Sequence, residues 1–432
     1  MTTVLLGMLS IGFSGQSADR PNIVLILADD LGYGSLSSYG QKEIPTPNID
    51  SIAKNGARMT DGYVSCPICA PTRAGLMTGR YQQRFGFEHN PGPERQASPR
   101  FGLPKDETTL AEVLAKNGYR TGMVGKWHLG YKDGTKPTDR GFQSFFGFLS
   151  GANSYLPGPR FDNILRGKEP VKETEYLTDA LARESVDFIK KDDKRPFFLY
   201  LAFNAVHAPM ESPAKYTDLF KALTGTRKAF AGMLTAMDSA VGQVMGALRD
   251  KELEERTIVF FLSDNGGPTQ QTTSSNKPLR GVKGQVYEGG IRVPFMVQWK
   301  GEVKPGTVVQ DPCFSLDIFP TILDIASISK GQAKECLEGR SLVPTLKGSS
   351  SPMSPRAIFW RMGRQHAVRY GDWKLVVRRG AAPELYNLKD DIGESRNLAV
   401  TKPEKLAELQ KLYAEWDKKN IDPLWRRSEG GD

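Results

Sequence analysis

Histidine and cysteine are scarce in this 432-residue chain, four of each. Four cysteines (Cys66, Cys69, Cys313, Cys336) are too few for a disulfide scaffold. Cys313 and Cys336 can pair or be buried separately, and burial is the favoured reading. A zinc half-site at Cys66–Cys69 has no second C-x-x-C or H-x-x-H to complete it. No apolar run reaches the ~20 residues of a membrane span. Internal repeats are missing, and so are Lys/Arg runs and nucleic-acid motifs. The net charge of +9 therefore suits anionic partners without choosing nucleic acid. With 39% hydrophobic and 25% charged residues, the composition is that of an ordinary globular chain.

What is present centres on Ser65–Tyr81, S-C-P-I-C-A-P-T-R-A-G-L-M-T-G-R-Y. Pro71 fits the first turn of a helix, which places Cys69 just before a helix N-terminus. Unpaired N–H groups and the helix dipole favour an anion there, and Arg73 adds a planar cation one turn on. Cys66 and Cys69 also have the C-x-x-C spacing of thiol oxidoreductases, so a redox reading stays open.

The aliphatic runs Pro21–Ala28, Phe197–Phe203 and Thr257–Leu262 read as strands buried on both faces. Chemistry-bearing residues follow their ends, where α/β sheets place ligand sites. Asp29-Asp30 precede Leu-Gly-Tyr-Gly, and Asp264-Asn265 precede Gly-Gly. Carboxylates and an amide oxygen on two glycine turns suit a hard cation, Ca²⁺ or Mg²⁺. Tyr119–Val124 is a further strand running into Gly125-Lys126-Trp127-His128. Lys126 and His128, two apart on an extended segment, face one way. His207 follows another strand end, although a core histidine bonded to backbone fits it too. The basic, glycine-rich stretch Lys277–Pro294 contains Lys283 and is long enough to be a functional loop.

These motifs, I-L-A-D-D-L-G-Y-G, C-A-P-T-R with T-G-R, G-K-W-H-L-G, H-A-P, S-D-N-G and G-x-K-x-x-x-Y-E-G-G-x-R-V-P, closely resemble those of the type I sulfatases in family order. Within the alkaline phosphatase superfamily they look like those of the arylsulfatase A and N-acetylgalactosamine-6-sulfatase kind. The resemblance implies that Cys69 is oxidised to formylglycine by a maturation enzyme and that the hydrate attacks sulfur. It implies Ca²⁺ ligands at Asp29, Asp30, Asp264, Asn265 and the modified Cys69. Arg73 and Lys126 match residues that hold the hydrate and sulfate. His128 matches the base that collapses the sulfated intermediate, and His207 and Lys283 match groups that bind the ester and protonate the leaving oxygen. The expected substrate is a sulfated carbohydrate. A phosphodiesterase or phosphonate hydrolase of the same superfamily is the alternative, as is a non-catalytic binder of anionic glycans if Cys69 stays a thiol.

Specificity is expected from loops at Arg84–Pro93, Asn153–Arg160 and around His366. Arg84, His89, Asn153 and His366 are the candidates for sugar contacts, though surface roles fit the two histidines equally. The expected fold class is α/β, a large central mixed sheet sandwiched by helices, with a smaller C-terminal α+β subdomain. Residues 21–348 would carry catalysis and 349–432 the subdomain, with a Ser/Pro-rich stretch at Ser349–Pro355 between them. Three strands are read there (356–361, 366–369, 373–378), then a helix at Pro403–Asp417, with Thr401 and Glu404 at capping-box spacing. Val4–Phe13 resembles the core of a secretory signal without its basic n-region. A truncated signal in residues 1–20 and a plain tail both fit, and the family resemblance favours a periplasmic or extracellular protein.

Overall fold

The structure, a computed structural model, describes residues 20–94, 100–158, 163–333, 336–348 and 354–425. The signal-like residues 1–19 and most of the Ser/Pro-rich stretch lie outside them. A ten-stranded mixed sheet runs through the molecule in the order 307–309, 57–59, 295–299, 257–263, 22–28, 197–202, 120–126, 144–148, 165–166, 169–170. Its centre, from Thr257–Ser263 through Asn22–Ala28, Phe197–Ala202 and Arg120–Lys126 to Ser144–Phe148, is parallel throughout. Phe295–Trp299 runs antiparallel to both neighbours.

The aliphatic runs become central strands because both faces are covered. Along the first strand Ile23, Leu25 and Leu27 pack into one hydrophobic core and Val24, Ile26 and Ala28 into another on the opposite face. The second core takes the apolar stripe of a 26-residue helix, Gly225–Asp250, including Phe230, Met237 and Val244. Gly125 is required where two strands converge. Its φ is +111°, and a Cβ there would sit 1.9 Å from the Ala202 carbonyl oxygen.

Parallel pairing brings the carboxyl ends of four strands to one edge. Ala28 registers with Ser263, Leu27 with Ala202 and Gly125 with Ala202. The residues that follow these ends therefore meet, whatever their separation in sequence.

The C-terminal part is an antiparallel meander of Ala357–Met362, Gln365–Tyr370, Trp373–Val377 and Glu384–Asn387, crossed by the helix Pro403–Asp417. The fourth strand is an addition to the three read from sequence. Thr401 and Glu404 do not form a capping box. The cap position is Lys402, no side chain caps the helix, and Thr401 Oγ1 donates to the Leu398 carbonyl at 3.2 Å. A box does form at the helix Leu110–Lys116, between Thr109 and Glu112. Cys313 is buried as expected, whereas Cys336 is exposed, and the cysteines are all free. No helix among the described residues is long and apolar enough to cross a membrane.

Candidate active site

Cys69 is the first residue of a fully buried helix, Cys69–Thr78, so the helix opens two residues before Pro71. Arg73, one turn on, is completely buried and engaged by its neighbours. Its Nε and Nη2 donate to Asp264 Oδ2 at 3.0 and 2.7 Å, and Nη1 donates to the Lys126 carbonyl at 3.0 Å. Nη2 also lies 3.5 Å from Asp29 Oδ2. One guanidinium thus straps together three strand ends.

Asp29, Asp30, Asp264 and Asn265 are completely buried. One oxygen from each of the three carboxylates lies within 4.8 Å of the others. Lys126 Nζ sits 2.5 Å from Asp29 Oδ2, and Lys283 Nζ lies 2.9 and 3.0 Å from the two oxygens of Asp30. Burial opposes ionisation of Asp29, but Lys126, His207 and Arg73 outweigh it and hold its pKa below the usual value. Lys283 and His207 do the same for Asp30. For Asp264 burial prevails, helped by the charge of Asp29, and its pKa is raised.

Two oxygens in this cluster, Asp29 Oδ1 and Asn265 Oδ1, are buried without a hydrogen-bond partner. Orphaned buried acceptors are costly, and a hard cation would satisfy both. Three carboxylates and an amide oxygen are a donor set that fits Ca²⁺. Asn265 Nδ2 donates to Asp30 Oδ1 at 2.7 Å, which leaves its carbonyl oxygen for that role.

His128 departs from the extended geometry read from sequence. The strand ends at Lys126, and His128 takes φ +58°. Its ring packs on Gly151, where a Cβ would stand 2.6 Å from Nε2. Burial first, then Lys126 and Arg73, push its pKa well below the ordinary value, so the imidazole is neutral. Among the described residues its Nδ1 has no hydrogen-bond partner. His207 Nδ1 donates to the Ala208 carbonyl at 2.6 Å, and Nε2 faces Asp30 Oδ2 at 3.7 Å.

Cys69, His128, His207 and Lys283 line one cavity of about 1500 Å³. Arg73 and Lys126 do not line it; they bond the carboxylates, and each is also close enough to Cys69 to couple to it electrostatically. Burial pushes the Cys69 thiol up to about 12, and Cys66 is pushed up as well. Burial thus favours the neutral thiol at both, which does not suit a redox or plain cysteine-nucleophile reading.

His89 and Asn153 line the cavity, but Arg84 and His366 do not. Arg84 is spent on packing. It pairs with Glu338 at 2.7 Å, donates to Asn420 and the Trp416 carbonyl, and stacks over Tyr81 and Trp416. His366 stacks on Tyr413 with ring centroids 3.8 Å apart, and burial lowers its pKa to about 4. The residues next to it, Arg364 and Gln365, reach the cavity instead, as do Arg378 and Arg379. Arg364 and Gln365 fall within the region nominated around His366, whereas Arg378 and Arg379 lie outside every nominated loop. The signal available was basic residues beside glycine, Gly363-Arg364 and Arg378-Arg379-Gly380, at the turns between short strands.

A family model described as Sulfatase matches residues 21–328, and one described as N-sulphoglucosamine sulphohydrolase, C-terminal, matches residues 282–420. Human arylsulfatase A is 35% identical over 456 aligned positions, covering 91% of this chain and 87% of the relative. Dog N-acetylgalactosamine-6-sulfatase is 33% identical, covering 86% and 74%. The crystal structure of Ps i-CgsB in complex with k-i-k-neocarrahexaose superposes with a TM-score of 0.90 at 34% identity, over 95% of each chain.

Proposed function

The chain belongs to the sulfatase family and is a sulfuric ester hydrolase, and from that premise we propose that it desulfates carbohydrate using a formylglycine made from Cys69 and a Ca²⁺ held by Asp29, Asp30, Asp264 and Asn265. One observation carries this reading. Cys69, His128, His207 and Lys283 converge on a single cavity directly beside a buried carboxylate cluster with two unsatisfied oxygens. The carbohydrate part is supported by the hexaose in the solved relative and by the amino sugar in the dog enzyme's name. A cavity of about 1500 Å³ also exceeds the roughly 300–1,000 Å³ of ordinary small-molecule pockets.

The aldehyde hydrate and the cation supply an activated oxygen nucleophile and a focus of positive charge. The chain's own residues do the rest. His128, kept neutral by burial and two neighbouring cations, accepts a proton in the site. Lys283 carries a pKa well above the ordinary value, because Asp30 and other negative groups outweigh burial. Lys283 and His207, both facing Asp30 and both lining the cavity, bind the sulfate ester and are placed to protonate the leaving oxygen. Arg73 and Lys126 position the carboxylates and reduce their repulsion. Residues 21–348 carry this chemistry and the C-terminal subdomain, 349–432, supplies part of the substrate wall. Export to the periplasm or exterior accords with sulfated polysaccharide as substrate.

The test is mass spectrometry of the Cys69 peptide after co-production with a formylglycine-generating enzyme. Conversion lowers the mass by about 18 Da, whereas thiol oxidation adds oxygen. The matured protein should release sulfate from sulfated galacto-oligosaccharides in Ca²⁺ and turn over matched phosphate esters more slowly. A thiol that no maturation system converts, in a protein that binds such sugars without cleaving them, would instead make the chain an anionic-glycan binder.

A further inference from the structure

Two turns of the C-terminal sheet reach the cavity that holds Cys69: Gly363-Arg364, and the turn that begins at Arg378-Arg379. They lie at the same end of the sheet, since His366 pairs with Val377 on the adjacent strand. The first turn is fixed from two sides. Gly363 N donates at 2.8 Å to Glu88 Oε1, and Glu88 is itself bound by Arg361 at 2.8 Å. Gln365 Nε2 donates to the Gly284 carbonyl at 2.6 Å, and its Oε1 accepts from Val286 N at 3.2 Å. Those last bonds tie the turn to the loop that carries Lys283.

Other arginines of this sheet are matched by carboxylates: Arg361 by Glu88 and Asp417, Arg369 by Asp61, Arg378 by Glu384. Arg364 and Arg379 are not; among the described residues neither has a hydrogen bond, an ion pair or a ring contact. The described cavity wall holds one carboxylate, Glu94, against Lys283 and three arginines. A solvated surface arginine ordinarily needs no explanation. Here two unmatched guanidinium groups stand on turns that face the reacting centre, one of them tied to the Lys283 loop.

We infer that Arg364 and Arg379 receive a second anionic group of the glycan, a sulfate ester or a carboxylate, on a sugar adjoining the one that loses its sulfate. The inference rests on the carbohydrate-sulfatase reading above. A guanidinium fork matches two oxygens of either group, and a lysine does not reproduce that geometry. Both side chains are exposed, so the attraction is screened over about 8 Å at physiological salt and weakens as salt rises.

Three disaccharides test it: one with a single sulfate ester, one with a further sulfate on the adjoining ring, and one with a carboxylate there instead. Matured wild-type protein should favour a doubly anionic sugar about tenfold in kcat/KM at low salt, mainly through KM. Which of the two sugars is favoured identifies the group. Arg364→Ala with Arg379→Ala should bring the ratio to within about twofold, and the Lys pair should restore only part of it. A fold defect would lower all rates together and leave the ratio unchanged. A wild-type ratio near one, or a ratio that survives the double substitution, overturns the inference. Failure to release sulfate from any of the three sugars would instead count against the carbohydrate reading. The same ratio is then read as binding, by calorimetry with Cys69→Ala protein, where loss of the preference on removing both arginines supports the inference and its persistence overturns it.

Discussion

Among the described residues two largely buried charge clusters share one make-up, three acids with three bases. One is Asp29, Asp30 and Asp264 with Arg73, Lys126 and Lys283. The other lies where the C-terminal sheet meets the main body: Asp61, Glu288 and Glu394 with Arg292, Arg369 and Lys374. Glu288 and Lys374 are as buried as Asp29, Asp30 and Asp264. At the junction both oxygens of Glu288 are engaged, by Lys374 at 2.7 Å and by Tyr63 and Arg292 at 2.5 and 3.2 Å. Glu394 Oε2 accepts from the Glu288 amide at 2.7 Å, while Oε1 is ion-paired with Lys374 at 2.9 Å without a hydrogen bond. In the first cluster Asp29 Oδ1 and Asn265 Oδ1 are left without partners, and Lys283 opens onto a cavity. Buried charge alone therefore does not mark a reactive site. Unsatisfied acceptors beside a cavity do; the junction also keeps one unbonded acceptor, Glu394 Oε1, but none of its acids or bases lines the cavity that Lys283 lines, and it is a structural joint.

Substitutions should separate the two clusters by what they change. At the first, His128→Ala should lower kcat by about 10²–10⁴-fold, the range for a lost proton-transfer group. Steady-state kinetics check it, with thermal unfolding to show that the fold is intact. Turnover near the wild-type rate would take His128 out of the chemistry. At the second, Lys374→Met strands two buried carboxylates facing each other. It should cost about 3–5 kcal/mol of stability in denaturant unfolding, while kcat/KM per folded molecule stays within a few-fold. A large loss of kcat/KM in fully folded Lys374→Met would show that the junction takes part in the reaction and end the distinction.

The difference between the clusters was only partly legible in the sequence. Asp29, Asp30, Asp264 and Asn265 could be found because each follows an aliphatic run long enough to be a central strand, and parallel pairing then gathers strand ends. Glu288 and Lys374 carry no such mark, since a buried joint is made by long-range packing. The same limit explains Arg84 and His366. The partners of Arg84 lie 254 to 336 positions away, and the stacking of His366 on Tyr413 depends on where the last helix lies. Arg364, two residues before His366, is the one that reaches the cavity, because strand pairing decides which residues of a hairpin form its turn. Thr401 has the spacing of a cap, yet the helix begins at Pro403 and its hydroxyl bonds the preceding turn.

A cation should bind one cluster and not the other. Chelation should abolish turnover, and added Ca²⁺ should restore it. At a hundred times its dissociation constant Ca²⁺ should stabilise the metal-free protein by about 2.7 kcal/mol, read as a rise in unfolding temperature. Asp30→Asn should remove that rise. An equal rise in the variant would place the cation elsewhere.

The smallest effect expected is in pH, and it belongs to the joint. Burial raises the Glu394 pKa to about 7 from an ordinary 4.5. Between those values the folded protein keeps a proton that the unfolded chain has released, so this group's contribution to stability falls as pH rises from about 4.5 to 7. Glu288 runs the other way. Burial opposes its ionisation, but Lys374 and two arginines outweigh it and hold its pKa at about 2. Its contribution is present above about 4.5 and is lost as pH falls toward 2. Glu394→Gln removes only the first of these. The variant should gain on wild type by roughly 1–2 kcal/mol between pH 5 and pH 8 in urea unfolding, less than the full shift implies because Lys374 is shared with Glu288. A gap that does not change with pH would mean that Glu394 is ionised throughout. The joint would then hold two full negative charges against Lys374, as the other cluster holds Asp29 and Asp30 against its own lysines, and the cavity that Lys283 lines would be the main difference left between the two clusters.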